Sequence, residues 1–357
     1  MPMLTQIING PQGWLNDGSV LISDGKILEI TNSDLAVIGA KVIDAKGMYI
    51  VPGFVAMHVH GGGGYDFKQA TAEAFEAATK AHLNHGATTI LPTISSSSFA
   101  TLKQAVSVCE TKMKEKGSTI LGLHIEGPYL NPKMAGNLFA KDIKGIDKAE
   151  YTELIESTDC IKRWDISPEL EGAHEFGVGF THAAHFYNAM PGFHKRREYK
   201  YEGTVESVYL MDNMTVEVIA DGRHLPSTII RLVYKIKGVE RTCLVTDALA
   251  YAACENPNVD PRFVIEDGVC KLADHSSLAG SLATMDKLVQ TVVKAGIPFS
   301  DAVRMASETP AKLIGVDDRK GSLQKGKDAD ILIFDRNLNL RAVWSMGNLV
   351  EEANSLI

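Results

Sequence analysis

The stretch Tyr49-Ile-Val-Pro-Gly-Phe-Val-Ala-Met-His-Val-His60 reads as a short apolar strand, Tyr49 to Met57, that runs out into two histidines. Side chains alternate along a strand, so His58 and His60 point the same way, and two imidazoles so placed can share one metal ion. Taken alone, the pair suits two hydrogen-bonded core or loop histidines equally well. The Gly61 to Gly64 run that follows reads as a flexible loop. Working outward, Ala74, Phe75, Ala78, Ala81 and Leu83 recur at helical spacing, with Gly86 at the C-terminal cap. A β-branched strand, Ala87 to Thr93, comes next, then a helix through Ala100, Leu102, Ala105, Val106 and Cys109, with Ser95 to Ser98 as loop and N-cap. Further strands are expected at Thr119 to Glu126, Cys160 to Ile166, Gly179 to His185, Thr215 to Ala220 and Thr242 to Asp247. Short buried strands alternating with helices imply an α/β fold with a parallel sheet. Polar residues at the strand ends imply a site on the C-terminal face of a TIM-like barrel.

Both ends of the chain differ from this middle. Residues 1–50 hold alternating runs around Gly and Asp turns, such as Ser19 to Ile22 and Lys26 to Ile30 on either side of Asp24-Gly25. Residues 321–357 repeat the style, with Ala329 to Phe334 and Arg341 to Trp344 as strands. The simplest architecture joins both ends into one small β-sandwich domain flanking a barrel of residues 51–320. The 357 residues are 45% hydrophobic and 22% charged, an ordinary globular balance that argues against a disordered or fibrous chain. No apolar stretch approaches the roughly 18 to 20 residues that span a bilayer, and no signal peptide is evident, so the default compartment is the cytoplasm. Cys109, Cys160, Cys243, Cys254 and Cys270 form no C-x-x-C pair and read as buried small hydrophobes. With 36 Lys plus Arg against 44 Asp plus Glu, the net charge of -8 repels a polyphosphate, which excludes nucleic acid as a natural partner.

Glu126 ends the apolar strand Leu123-His-Ile-Glu126, where a carboxylate has no packing reason to stand. A helix cap or an ion pair is its plain explanation. His185 and Asp247 end two further strands, so four strands deliver His, Glu, His and Asp to one edge. Such convergence suits metal-assisted hydrolysis, with imidazole and carboxylate ligands and a carboxylate to accept a proton from water. That donor set suits Zn²⁺ first and Fe²⁺ or another borderline ion second.

At this point the residues resemble a family. Val51-Pro-Gly-Phe54 leads into His58-Val-His60, followed by Leu123-His-Ile-Glu-Gly-Pro-Tyr129, His185-Phe-Tyr-Asn-Ala-Met-Pro191 and Ile219-Ala-Asp-Gly-Arg-His224. Leu244-Val-Thr-Asp247, Leu278-Ala-Gly-Ser281 and Gly321-Ser-Leu-Gln-Lys-Gly-Lys-Asp-Ala-Asp330 complete the pattern. Together they are similar to the amidohydrolase superfamily and, within it, to the N-acetylglucosamine-6-phosphate deacetylases. The resemblance implies a metal-dependent hydrolase that releases acetate from N-acetylglucosamine 6-phosphate, working as a homodimer on a small amino-sugar phosphate, with one or two divalent ions. It implies His58, His60, Glu126, His185 and Asp247 as metal ligands, and Asp247 as the general base and then acid. It also implies Asn188, Ala189 and an arginine of the His194-to-Arg197 run at the sugar phosphate, and counting from Asn188 favours Arg196. Asp221, Gly222, Arg223 and His224, with Leu278, Ala279 and Gly280, would line the sugar and acetyl pocket.

The chain departs from the family twice. Twelve residues after Glu126, where related deacetylases carry a histidine thought to polarise the amide carbonyl, it has Leu138, which cannot donate a hydrogen bond. A second ion at His58 and His60 could supply that polarisation. Between Ile166 and Gly179 lie only twelve residues, enough for one crossover and not for the extra strand, bearing one more metal-binding histidine, that the resemblance implies. Seven barrel strands remain where eight are required, and a barrel short of one strand exposes two edges or must re-close. Residues missing between Gly177 and Val178 are therefore expected, their Cα atoms standing well beyond roughly 3.8 Å, with a similar break near Gly10 and Pro11. A true deletion would instead make the chain a non-catalytic sugar-phosphate binder. Leu138 keeps open another amidohydrolase activity, an acetylgalactosamine-phosphate deacetylase or a cyclic amidase.

Overall fold

The structure, a computed structural model, describes residues 6–8, 13–33, 35–134, 140–176 and 179–352. Gly10, Pro11, Leu138, Gly177 and Val178 lie outside the described residues.

The expected Tyr49-to-Met57 strand is two strands with different duties. Tyr49–Pro52 joins the small sheet, and Phe54–Val59 starts the parallel one. They part at Gly53, where a Cβ would stand 2.0 Å from Thr88 Oγ1 and 2.9 Å from Asp330 Cβ; only a bare backbone fits this crossing. Seven parallel strands follow: β1 (Phe54–Val59), β2 (Ala87–Ser95), β3 (Leu123–Glu126), β4 (Ile161–Asp165), β5 (His182–Ala183), β6 (Thr215–Ile219) and β7 (Thr242–Val245). One ladder runs β4-β3-β2-β1 and another β5-β6-β7. The two arcs meet where Asp247 N donates to His58 O at 3.1 Å and His60 N to Ala248 O at 2.9 Å. Among the described residues no ladder joins β4 to β5.

Two expected strands are shorter than their sequence pattern. Thr119 to Glu126 pairs continuously only over β3, with an isolated bridge at Ile120, because Gly122, at φ 158°, takes the backbone against Cys160. Gly179 to His185 is strand only at His182–Ala183; Gly179, at φ 85°, and His185, at φ 30°, both leave the extended backbone. The glycine run is also no flexible loop. Gly61–Gly62 pairs with Tyr65–Asp66, a Cβ on Gly61 would meet Tyr65 O at 2.2 Å, and Gly63 and Gly64 donate to Ala252 O and Ala250 O. Close backbone-to-backbone approach, rather than freedom, explains these glycines.

The first two helices fall where the periodicity puts them. Ala72–Leu83 is capped by Thr71, whose hydroxyl accepts from Ala74 N, and Phe99–Met113 is capped by Ser98, which accepts from Thr101 N. Their buried faces, Phe75 and Ala78 on one and Leu102, Ala105 and Cys109 on the other, join one core with Phe54, Ile90, Ile125 and Val218. Among the described residues no helix is long and apolar enough to cross a membrane.

Strands from both ends of the chain form one sheet, in the order Trp14–Asn16, Gln6–Ile8, Tyr49–Pro52, Ile331–Phe334, Leu340–Ser345, Asn348–Glu352. A separate hairpin, Ser19–Ser23 with Lys26–Thr31, turns on Asp24 and Gly25, both at positive φ, the backbone a two-residue hairpin loop needs. Its Lys26 reaches Asp328 Oδ1 at 2.6 Å. Asp330 accepts from the fully buried Lys320 at 2.7 Å and from Met346 N at 2.8 Å. Replacing Asp330 with Ala leaves Lys320 with Asp328 alone, 3.0 Å away, and orphans an amide. The variant should lose about 3 kcal/mol of unfolding free energy in a urea titration, the low end for breaking a buried ion pair. A change within a few tenths of a kcal/mol would show that this corner is not structural.

Candidate metal centre and active site

His58 stands near the end of β1 and His60 just beyond it, Glu126 ends β3, His185 follows β5 and Asp247 follows β7. These five meet in one place. His60 Nε2 lies 3.0 Å from Asp247 Oδ1 and 3.5 Å from Glu126 Oε2, and His185 Nε2 lies 3.3 Å from Glu126 Oε1. His58 Nε2 is 3.6 Å from both Glu126 Oε1 and Asp247 Oδ1, fully buried and without a hydrogen-bond partner. Its other nitrogen, Nδ1, faces Glu217 Oε2 at 2.9 Å. An ionised carboxylate only accepts, so Nδ1 carries the proton, and in the neutral ring Nε2 is a bare lone pair. The same holds for His185, whose Nδ1 meets the carbonyl of Asn188 at 3.1 Å.

Three imidazoles and two carboxylates thus converge, and in the neutral rings of His58 and His185 the nitrogen that faces Glu126 is a lone pair. The residues fit a divalent cation, and His58, His60 and Glu126 form a group compact enough to hold one. Without an ion, protons fill the deficit. Burial opposes charge on His60, yet its hydrogen bond to Asp247 and the nearby Glu126 outweigh it and raise the ring to about 9. Burial is likewise overcome at His185, where Glu126 lifts the ring to about 10. Burial would raise the Asp247 carboxyl, but the hydrogen bond from His60 holds it well below the ordinary range.

The site opens on a cavity of about 610 Å³. Its lining includes His60, Glu126, His185, Asn188, Ala189, His224, Asp247, Leu278, Ala279 and Gly280, while His58 stands behind it, fully buried. Asp221 acts from below: its Oδ1 accepts from Arg223 N and His224 N, and its Oδ2 accepts from His224 Nδ1 at 2.7 Å. Asp221, Gly222 and Arg223 do not themselves line the cavity. Nor does Arg196, which sits on the exposed hairpin His194–Arg196/Tyr199–Tyr201 with its guanidinium over the Tyr201 ring.

A second group escaped the strand-end pattern: His124, Arg163 and Glu217, which stand behind the cavity, with Asp165 and His182, which line it. His124 Nε2 donates to Asp165 at 2.9 Å and its Nδ1 meets Thr93 Oγ1 at 3.0 Å; burial and the Arg163 charge push this ring down to about 4. Arg163 donates to Glu217, to Asp165 and to the carbonyl of Met57, bridging β4, β6 and β1. The signal available in the sequence was a titratable residue inside an apolar strand, Glu217 in Thr215-Val-Glu-Val-Ile219 and His124 in Leu123-His-Ile125.

The model of the amidohydrolase family matches residues 49–350, and the chain belongs to that family. Such enzymes are metal-dependent hydrolases. Within the family the chain is 30% identical to the N-acetylglucosamine-6-phosphate deacetylase of Haemophilus influenzae, over 90% of this chain and 92% of that protein. It is 27% identical to the N-acetylgalactosamine-6-phosphate deacetylase of Escherichia coli, over 95% and 96%. The crystal structure of N-acetylglucosamine-6-phosphate deacetylase from Pasteurella multocida superposes with a TM-score of 0.89 at 26% identity, over 98% of this chain and all of that one.

Because His60 and His185 hold protons near neutrality, an ion entering the site must displace them. Zinc affinity should therefore be weaker at pH 6 than at pH 8, and calorimetry in buffers of different ionisation enthalpy should register proton release. Affinity independent of pH over this span would mean the ion binds elsewhere.

Proposed function

We propose that this chain hydrolyses the acetamide of N-acetylglucosamine 6-phosphate, giving glucosamine 6-phosphate and acetate. The convergence of three imidazoles and two carboxylates at the end of a cavity lined by Asn188, Ala189, His224 and Leu278 to Gly280 carries the reading. His58, His60, Glu126, His185 and Asp247 would hold one or two ions, zinc first by the nature of the donors and iron second. A divalent ion there supplies Lewis acidity, making water acidic and the acetamide carbonyl electrophilic. The chain's own residues do the rest. Asp247, an unprotonated carboxylate at neutral pH, takes the proton of the attacking water and returns it to the leaving nitrogen. His224, with Nδ1 committed to Asp221, would offer Nε2 to a sugar hydroxyl. Asn188 and Ala189, which line the cavity in the turn after His185, would meet the sugar phosphate.

The same reading makes the two arcs one barrel, a TIM-like (β/α)8 design short of a strand between β4 and β5, spanning residues 51–320. Residues 1–50 and 321–357 make the small β domain. It also carries the expectation of a cytoplasmic homodimer, in which the exposed Arg196 reaches the phosphate in the neighbouring subunit's site. A galactosamine epimer is the second substrate reading, favoured by the similarity to the Escherichia coli enzyme.

Acetate release, measured on both sugar phosphates, tests the assignment: the glucosamine epimer should give the higher kcat/KM. Release from neither by zinc-loaded protein would overturn it. Asp247→Asn should keep most of the bound metal and lose at least about 100-fold in kcat, the usual contribution of a general base. Metal lost together with turnover would make Asp247 chiefly a ligand. Arg196→Ala should raise KM for the phosphorylated sugar much more than for N-acetylglucosamine. Equal effects on the two would leave Arg196 a surface charge.

A further inference from the structure

Glu217 is the charged member of β6, its side chain is wholly buried, and it does not line the cavity. Its carboxylate nonetheless touches the site from behind through both oxygens. Oε2 accepts from His58 Nδ1 at 2.9 Å and from the backbone N of His185 at 2.9 Å. Oε1 accepts from Arg163 Nη1, with His182 Nε2 at 3.3 Å. One oxygen therefore fixes the proton on the far nitrogen of His58 and pins the amide of His185, where the chain turns to φ 30°. The other is claimed by a guanidinium that can only donate.

We propose that Glu217 is a positioning residue: through a single oxygen it sets the tautomer and ring direction of His58 and the start of the turn that presents His185, while Arg163 fixes which way its carboxylate faces. The inference rests on the metal site of the proposed function, but not on the identity of the substrate. A purely structural role, as buried counter-charge to Arg163, makes a different prediction, and the amide variant separates the two. In Glu217→Gln the carbonyl oxygen must face Arg163, which leaves the NH₂ facing His58 Nδ1 and His185 N. Donor then meets donor. His58 can accept from that NH₂ only by moving its proton to Nε2, which removes the lone pair the metal needs.

The test measures zinc dissociation constants by chelator competition at one pH, alongside thermal unfolding, for wild type, Glu217→Gln and Arg163→Met/Glu217→Gln. The single variant should bind zinc ~10- to 100-fold more weakly, the usual effect of removing a hydrogen-bond partner of a metal-ligating histidine. In the double variant no guanidinium dictates the amide's orientation, so the oxygen can rotate back to His58 and His185. Zinc affinity should recover toward wild type even though stability falls further. Should Glu217→Gln fail to fold, Glu217→Asp, whose shorter carboxylate draws away from Nδ1, should show at least about tenfold weaker zinc binding. A folded Glu217→Gln with zinc affinity within twofold of wild type would overturn the proposal. So would a double variant that binds no better than the single one. Wild-type protein that holds zinc but releases no acetate would sink the assigned reaction alone, and the affinity contrast would still decide the role of Glu217.

Discussion

Lone pairs and carboxylates cannot share a buried corner unless something positive stands among them. His58, His60, Glu126, His185 and Asp247 are brought within hydrogen-bonding distance or little more by strands that the core holds rigidly. Turning them toward water is opposed because three of the five are tied down outside the group. His58 is tied to Glu217, His185 to the carbonyl of Asn188, and the backbone of Asp247 to that of His58. The need for a cation is thus built in by the frame, and protons satisfy it when metal does not.

Much of this frame was legible in the sequence because burial leaves a periodic trace. Helices announced themselves through Phe75, Ala78, Leu102 and Ala105, and strand ends through His58, Glu126 and Asp247, each a polar residue closing an apolar run. The cap at Ser98 was readable too, since it satisfies a donor only three residues away. Local chemistry of this kind needs no knowledge of the rest of the chain.

What escaped were contacts between residues far apart in sequence. Glu217 sits in the middle of its strand, and its meaning depends on Arg163 and His58 from two other strands and on His185 after a third. No local rule supplies those partners. The glycine run at Gly61 reads as slack until Ala248 to Ala252 are seen pressed against its backbone. The strand at Tyr49 reads as one element until Gly53 is found wedged against Thr88 and Asp330. Positive φ at His185 and Asp247 belongs in the same class: both are non-glycine residues that adopt it because tertiary bonds hold them there.

The small sheet also bears on the order in which the molecule assembles. Tyr49–Pro52, which continues through Gly53 into the histidine-bearing strand, pairs on one side with Gln6–Ile8 and on the other with Ile331–Phe334. On the ribosome the first pairing is available early, but the second must wait until nearly the whole chain has been made. Until then one edge of Tyr49–Pro52 stays open and the root of β1 is held from one side only. The corner where the two arcs meet is therefore expected to become rigid late, although His58 and His60 are synthesised near the start.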